Sequence, residues 1–379
     1  MHSLYIHIPF CKQACHYCDF HFSTTLKRKS EMVDSICKEL FIRQEEANNP
    51  LKAIYLGGGT PSILSIDELK QIFETINKYY TIASDVEITL EANPDDFFEK
   101  KCSGRKFLSE LKRLKINRLS IGIQSFFEED LKWMHRAHNA KQTIELLEET
   151  SDFFDNISID LIYGLPNMSQ ERWLENLNKV IQYKIPHVSA YALTVEPKTA
   201  LHQFIVRGKY PDVDENKSHV QFMAMVDFLE KENFIHYELS NFGKMGYFSK
   251  NNTAYWEGKK YMGIGPSAHS FNGVERSWNI SNNIKYIQQI NTGILPSQRE
   301  VLSLNDQYNE LIMTGIRTQK GISLQAVEQR FGKKMSDYLQ KQANKFIQQQ
   351  LLEISDNCLK TTRNGKFLSD GIASDLFFV

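Results

Sequence analysis

Apolar residues in the first two thirds of the chain alternate between two rhythms. Short β-type runs fall at residues 4–8, 53–56, 87–91, 118–123, 157–162 and 188–193. Longer segments with helical spacing lie between them. Residues 31–46 carry Met32, Ile36, Leu40 and Phe41 on a 3–4 repeat, and residues 65–79 open with Ser65 and Glu68, a capping-box pair. Residues 139–149, 169–183 and 214–231 continue the series. Strands alternating with amphipathic helices predict parallel βαβ units. Six such units predict an α/β fold, a partial (β/α)6 TIM-like barrel.

The texture changes after about Tyr237. Residues 243–273 are rich in Gly, Asn and aromatics and show no clear period. From Asn305 the pattern turns mainly helical, with amphipathic stretches at 307–318 and 340–352. We expect a barrel over 1–240, a connecting region over 241–300 and a smaller, mainly helical C-terminal domain over 301–379.

The chain has 379 residues, 41% of them hydrophobic, and a formal net charge of −1. That balance gives no nucleic-acid or membrane-surface footprint. No apolar run approaches the length of a membrane span, and the first residues show no secretory pattern. Of six cysteines, Cys11, Cys15 and Cys18 cluster, whereas Cys37, Cys102 and Cys358 scatter as ordinary thiols. This is a poor disulfide framework and points to a reducing, cytoplasmic setting.

The unusual residues sit at strand ends. Cys11, Cys15 and Cys18, spaced CxxxCxxC, follow the first strand, and Gly57, Gly58, Gly59 and Thr60 follow the second. Glu91 ends the third, Gln124 follows the fourth and Asp160 lies within the fifth. Parallel α/β folds build their sites at the carboxyl ends of strands. Each residue also has a plainer role open to it. The glycines could form a tight turn, Glu91 could be a solvated loop carboxylate, and Gln124 and Asp160 could be hydrogen-bonded in the core. Three thiolates on one loop can hold a cubane cluster and leave one iron open, or bind structural zinc if His16 or His21 supplies a fourth ligand.

The cysteine spacing, with Tyr17 before the last cysteine, resembles the radical S-adenosylmethionine superfamily. The segments 5–11, 57–62, 91–94, 120–126, 160–166, 237–242 and 261–269 resemble the oxygen-independent coproporphyrinogen oxidase family. Its dehydrogenase branch usually has a further cysteine two residues after the third. Phe20 stands there, as in the HemW branch, whose members bind haem and are thought to pass it to respiratory enzymes.

The resemblance implies a [4Fe–4S] cluster on Cys11, Cys15 and Cys18, with S-adenosylmethionine on the fourth iron. It further implies a cofactor cradle of Tyr5, Gly58, Gly59, Thr60 and Glu91, with further contacts from Gln124, Arg136 and Asp160. It implies haem as the partner molecule and haem-receiving respiratory proteins as acceptors. The alternative is radical decarboxylation of coproporphyrinogen propionates, and a zinc-stabilised module without redox chemistry is the third possibility. One departure stands out. The HemW branch generally carries HNxxYW, with the histidine proposed to hold haem, but here the residues are Asn251, Asn252, Tyr255 and Trp256. An amide is a poor haem ligand beside imidazole, which leaves His269 as the nearest motif-borne alternative.

Overall fold

The computed structural model describes residues 2–98 and 103–379, so Cys102 lies outside the described residues. Six parallel strands run in sequence order across a sheet: β1 (Ser3–Ile8), β2 (Leu51–Gly58), β3 (Ile82–Ala92), β4 (Arg118–Gln124), β5 (Ile157–Tyr163) and β6 (His187–Ala192). All six expected strands are present. Their runs are apolar because both faces are covered. Leu4, Ile6, Ile54, Leu56, Leu119, Ile121, Ile159 and Leu161 are all fully buried.

The helices lie where the periodicity placed them, including Lys29–Ile42, Ile66–Tyr79, Ala140–Thr150, Gln170–Gln182 and Glu215–Lys231. The Ser65 hydroxyl accepts the Glu68 N–H at 3.2 Å and the Glu68 carboxylate accepts the Ser65 N–H at 2.7 Å, closing the expected capping box. On the first helix Met32, Ile36 and Leu40 are buried, while Phe41 is half exposed, one position beyond the apolar stripe.

Residues 241–300 extend the same sheet on both sides. After β7 (Ile235–Glu238), β8 (Asn241–Gly243) pairs antiparallel with β6. The chain then passes through helix Lys250–Trp256 to β9 (Tyr261–Ile264), which lies parallel to β1 on the other flank. Strands β10 (His269–Phe271), β11 (Glu275–Asn279) and β12 (Ser297–Val301) continue antiparallel, giving this sheet twelve strands among the described residues. These strands are only three to five residues long. Their pairing is non-local and leaves no alternating run to read. At Gly263 a side chain would lie 2.1 Å from the His269 carbonyl, so glycine permits the β9–β10 approach.

The C-terminal part has its own core, built on Tyr308, Ile312, Ile316, Val327, Leu339, Leu359 and Leu376. Helices Leu304–Ile316, Leu324–Phe331 and Lys333–Gln348 dominate it, with a small sheet of β13 (Ile322–Ser323), β15 (Cys358–Thr361) and β14 (Leu352–Ser355). The helix expected over 340–352 ends at Gln348. Gln350 takes a left-handed φ of 58°, and the apolar pair at Leu351 and Leu352 leads into a strand.

Candidate metal and cofactor site

The cysteine loop leaves β1 at Ile8 and is pinned from two sides. Cys11 donates its N–H to the Ser23 carbonyl at 3.1 Å, and Ser23 returns one to Pro9 at 2.9 Å. On the other side the His16 N–H reaches the Met134 carbonyl at 3.2 Å, and the Gln13 amide reaches the His135 carbonyl at 2.9 Å. The His16 and His135 rings stack with centroids 4.7 Å apart and planes 2° apart. His135 holds a left-handed φ of 59°, which sharpens the turn that aims Arg136 inward.

Arg136 ties the loop to two strand ends. One guanidinium nitrogen donates to the Cys15 sulfur at 3.2 Å and to the Tyr17 hydroxyl at 3.5 Å. The other donates to Asn93 Oδ1 at 2.7 Å and to the Gly122 carbonyl at 2.8 Å. Asn93 in turn donates to the Thr60 hydroxyl at 3.0 Å, and Thr60 donates to the Cys11 sulfur at 3.5 Å. The ends of β2, β3 and β4 thus meet the cysteines through one connected set of hydrogen bonds.

Burial pushes the Cys11 thiol up to about 12, against the partial relief of the Thr60 hydrogen bond, and pushes Cys18 up to about 11. Thiols so placed give up their protons to a metal, which supplies the missing positive charge. Among the described residues no three His, Cys, Asp or Glu side chains converge as one metal ion would require. A cubane asks something different, since each thiolate takes its own iron. Both histidines considered as a fourth zinc ligand have other partners: His16 Nδ1 meets the Trp133 carbonyl at 3.1 Å and His21 Nε2 meets Asn283 Oδ1 at 2.8 Å.

Beside the cysteines the glycine run forms a bare-backbone wall. A side chain at Gly58 would meet the His7 ring at 2.4 Å, and that residue has a φ of +106°. One at Gly59 would meet the Phe10 carbonyl at 2.6 Å. The Gly58 N–H donates to Glu91 at 3.1 Å, and the Tyr55 hydroxyl donates to the same carboxylate at 2.7 Å. Glu91 is therefore held in the wall rather than loose in a loop. Burial pushes it up to about 7 despite those two donors. Tyr5 lies against this wall, its hydroxyl 3.1 Å from His7 Nδ1 and its ring stacked on Tyr55.

Gln124 ends β4 in a left-handed conformation, φ 60°, and its Oε1 is buried without a partner. Strain combined with an unpaired amide at a strand end suits a site that waits for a donor. Asp160 lies further down the sheet. Burial raises it to about 6, while Arg118 and hydrogen bonds from the Ser189 and Ser120 hydroxyls pull the other way. It couples to Glu91 through the field between them. The structure thus gathers Tyr5, Cys11, Cys15, Cys18, Gly58, Gly59, Thr60, Glu91, Gln124 and Arg136 at the carboxyl end of the sheet. Asp160 stands behind them with core-type partners of its own.

Sequence reasoning passed over Tyr55, Asn93 and His135. Tyr55 and Gly57 share one face of β2 by period two, and Asn93 precedes a proline at a strand end. Both were visible as positions, but their partners are 36 and 43 residues away in sequence. Asn251 lies elsewhere: its N–H, with that of Lys250, caps onto the Glu87 carboxylate beneath the sheet's amino end. His269 is exposed and stacks near Trp278.

Residues 5–193 match the Radical SAM superfamily and residues 302–368 match the HemN C-terminal domain. The chain is 30% identical over 377 residues to the heme chaperone HemW of Bacillus subtilis, covering 98% of each. It is 32% identical over 372 residues to that of Lactococcus lactis, covering 98% of this chain and 96% of the relative. In three dimensions it resembles the coproporphyrinogen III oxidase HemN of Escherichia coli, with a TM-score of 0.84 at 21% identity over 99% of this chain and 89% of that one. The chain belongs to the HemW family of the radical SAM superfamily.

Proposed function

We propose that this protein holds a [4Fe–4S] cluster on Cys11, Cys15 and Cys18, binds S-adenosylmethionine against the glycine wall, and handles haem as a chaperone for haem-receiving respiratory proteins. The observation that carries the cluster and cofactor part is the Arg136 tie, which joins the cysteine loop to the ends of β3 and β4 and fixes where the open iron would face. Gly58 and Gly59 let the strand end pack against His7 and Phe10 beside the cysteine loop, Gln124 offers an unpaired carbonyl, and Glu91 offers a carboxylate suited to ammonium or ribose hydroxyl groups. Held there and reduced, such a cluster would supply one electron to the sulfonium of S-adenosylmethionine. The haem role follows from the family, whose curated relatives are named as heme chaperones. Among the described residues no helix is long and apolar enough to cross a membrane, and we place the protein in the cytoplasm.

The rival role, oxidative decarboxylation of coproporphyrinogen, draws on the shared motif segments, the HemN C-terminal domain and the fold likeness. The loop side chain at the position of the dehydrogenase's extra cysteine is Phe20, and it is 69% exposed. Anaerobic reconstitution with iron and sulfide, followed by haem titration with and without S-adenosylmethionine, tests the proposal. Cluster-level iron and saturable haem binding are expected. Protoporphyrinogen formed stoichiometrically from coproporphyrinogen would replace the chaperone role with the enzyme.

A further inference from the structure

The central parallel strands are apolar on one face and polar on the other. Glu91 of β3 is level with Ser120 of β4, Ser120 with Ser158 of β5, and Ser158 with His187 of β6. Cross-strand partners share a face, and so do residues two apart along a strand. Arg118 and Asp160 therefore stand on the same face as Glu91, each one step from this row along its own strand, roughly 7 Å.

Arg118 is fully buried, and among the described residues it makes no ion pair. Its Nη2 donates to His187 Nδ1 at 3.3 Å, and its Nε is buried without a partner. The Ser158 hydroxyl lies 2.7 Å from the same ring nitrogen, and His187 Nε2 lies 2.8 Å from the Tyr237 hydroxyl. A guanidinium can only donate, so Nδ1 accepts and the ring proton sits on Nε2. Burial and the Arg118 charge keep that ring uncharged. The same hydrogen bond brings the guanidinium tip to the row of Glu91. A buried cation is costly unless an anion answers it. The phenols around it, Tyr55, Tyr191 and Tyr237, are kept protonated by burial. Glu87 is taken up by the N–H groups of Lys250 and Asn251, and Glu238 is held by Asn241. That leaves Glu91 and Asp160.

We infer that Arg118 is a positioning residue of the cofactor site: its guanidinium is the counter-charge that lets Glu91 and Asp160 stand as carboxylates near neutral pH, ready for a ligand's ammonium and ribose hydroxyl groups. The inference rests on the S-adenosylmethionine reading proposed above and adds what maintains the charge of that site. Burial acts on both carboxyls in the opposite sense. The Arg118 charge is first among the groups that draw Asp160 back, with Arg136 adding to it, and it assists the Tyr55 and Gly58 hydrogen bonds at Glu91. Its own hydrogen bond goes to His187 and to neither carboxylate, so it acts through its field.

The test is the pH profile of S-adenosylmethionine binding, followed by calorimetry on the full, reconstituted chain from about pH 5.5 to about pH 8.5. Arg118→Gln keeps a donor for His187 and drops the charge. Its binding midpoint should move up by about one pH unit relative to the parent, with iron content unchanged. Arg118→Lys keeps the charge and should bring the midpoint back toward that of the parent. Arg118→Met carries the expectation of the glutamine variant should the latter not fold. If the parent binds S-adenosylmethionine and the folded glutamine or methionine variant keeps its midpoint, the assignment fails and the cofactor reading stands. A lysine variant displaced as far as the glutamine variant overturns it too. If the parent binds no S-adenosylmethionine at any pH, both fall.

Discussion

The guanidinium of Arg136 reaches the Cys15 sulfur at 3.2 Å from a loop 121 residues further along the chain. The same group satisfies Asn93 Oδ1 and the Gly122 carbonyl. Replacing it by methionine would leave both oxygens buried without a donor, at about 1–3 kcal/mol each. Arg136→Met should lower the melting temperature by roughly 3–6 °C and cut the iron retained after reconstitution. Arg136→Lys keeps the charge but loses the fork, and should fall between the two. A methionine variant that loads iron and melts like the parent would show that the tie is incidental.

Glu91 and Asp160 make the stability of the ligand-free protein depend on pH. Burial holds them at about 7 and about 6 in the folded chain, whereas unfolded carboxylates titrate near 4. Between those values the folded state keeps protons that the unfolded state releases. The contribution of these two groups to stability therefore falls as pH rises through this window and levels off above about 7. Buried His7, His138, His187 and His236, all held below the usual histidine value, contribute the opposite trend. The carboxylate part is read from the difference between variants: Glu91→Gln should gain stability relative to the parent as pH rises, which urea midpoints measured from about pH 5 to about pH 8 would show. An unchanged slope would mean that Glu91 is ionised throughout.

Gly59 faces backbone on three sides: a side chain there would lie 2.6 Å from the Phe10 carbonyl and 2.8 Å from both the Ile8 carbonyl and the Phe10 N–H nitrogen. Backbone cannot rotate away as a flexible side chain can. Gly59→Ala should cost about 1–3 kcal/mol and displace the start of the cysteine loop, so iron loading drops with stability. Gly371→Ala, in helix Ser369–Asp375 with open space around it, is the control and should leave loading unchanged. Equal loading in both variants would detach the glycine wall from the cluster loop.

The six parallel strands and the cysteine loop were legible because each announces itself locally, as an apolar run or a residue spacing. The capping pair at Ser65 and Glu68 was legible for the same reason. Strands β9–β12 were not, since Gly263 makes sense only once His269 has folded back against it. The site was half visible. Glu91 and Gln124 stand out as polar residues in apolar strands, but their roles depend on Tyr55 and Arg136, whose approach is set by the sheet order.

Residue 251 offers the sharpest separation between the family motif and this molecule. Its N–H and that of Lys250 donate to Glu87 at 3.3 and 2.9 Å, so the start of helix Lys250–Trp256 is capped by a carboxylate from β3. A cavity of about 650 Å³ is lined by Thr253, Tyr255 and Trp256 of the same helix but not by Asn251. Asn251→His therefore restores the motif histidine at a position outside that lining. The haem affinity and Soret position of that variant should match those of the parent. A gain of about tenfold or more, with a low-spin spectrum, would instead place the iron at residue 251.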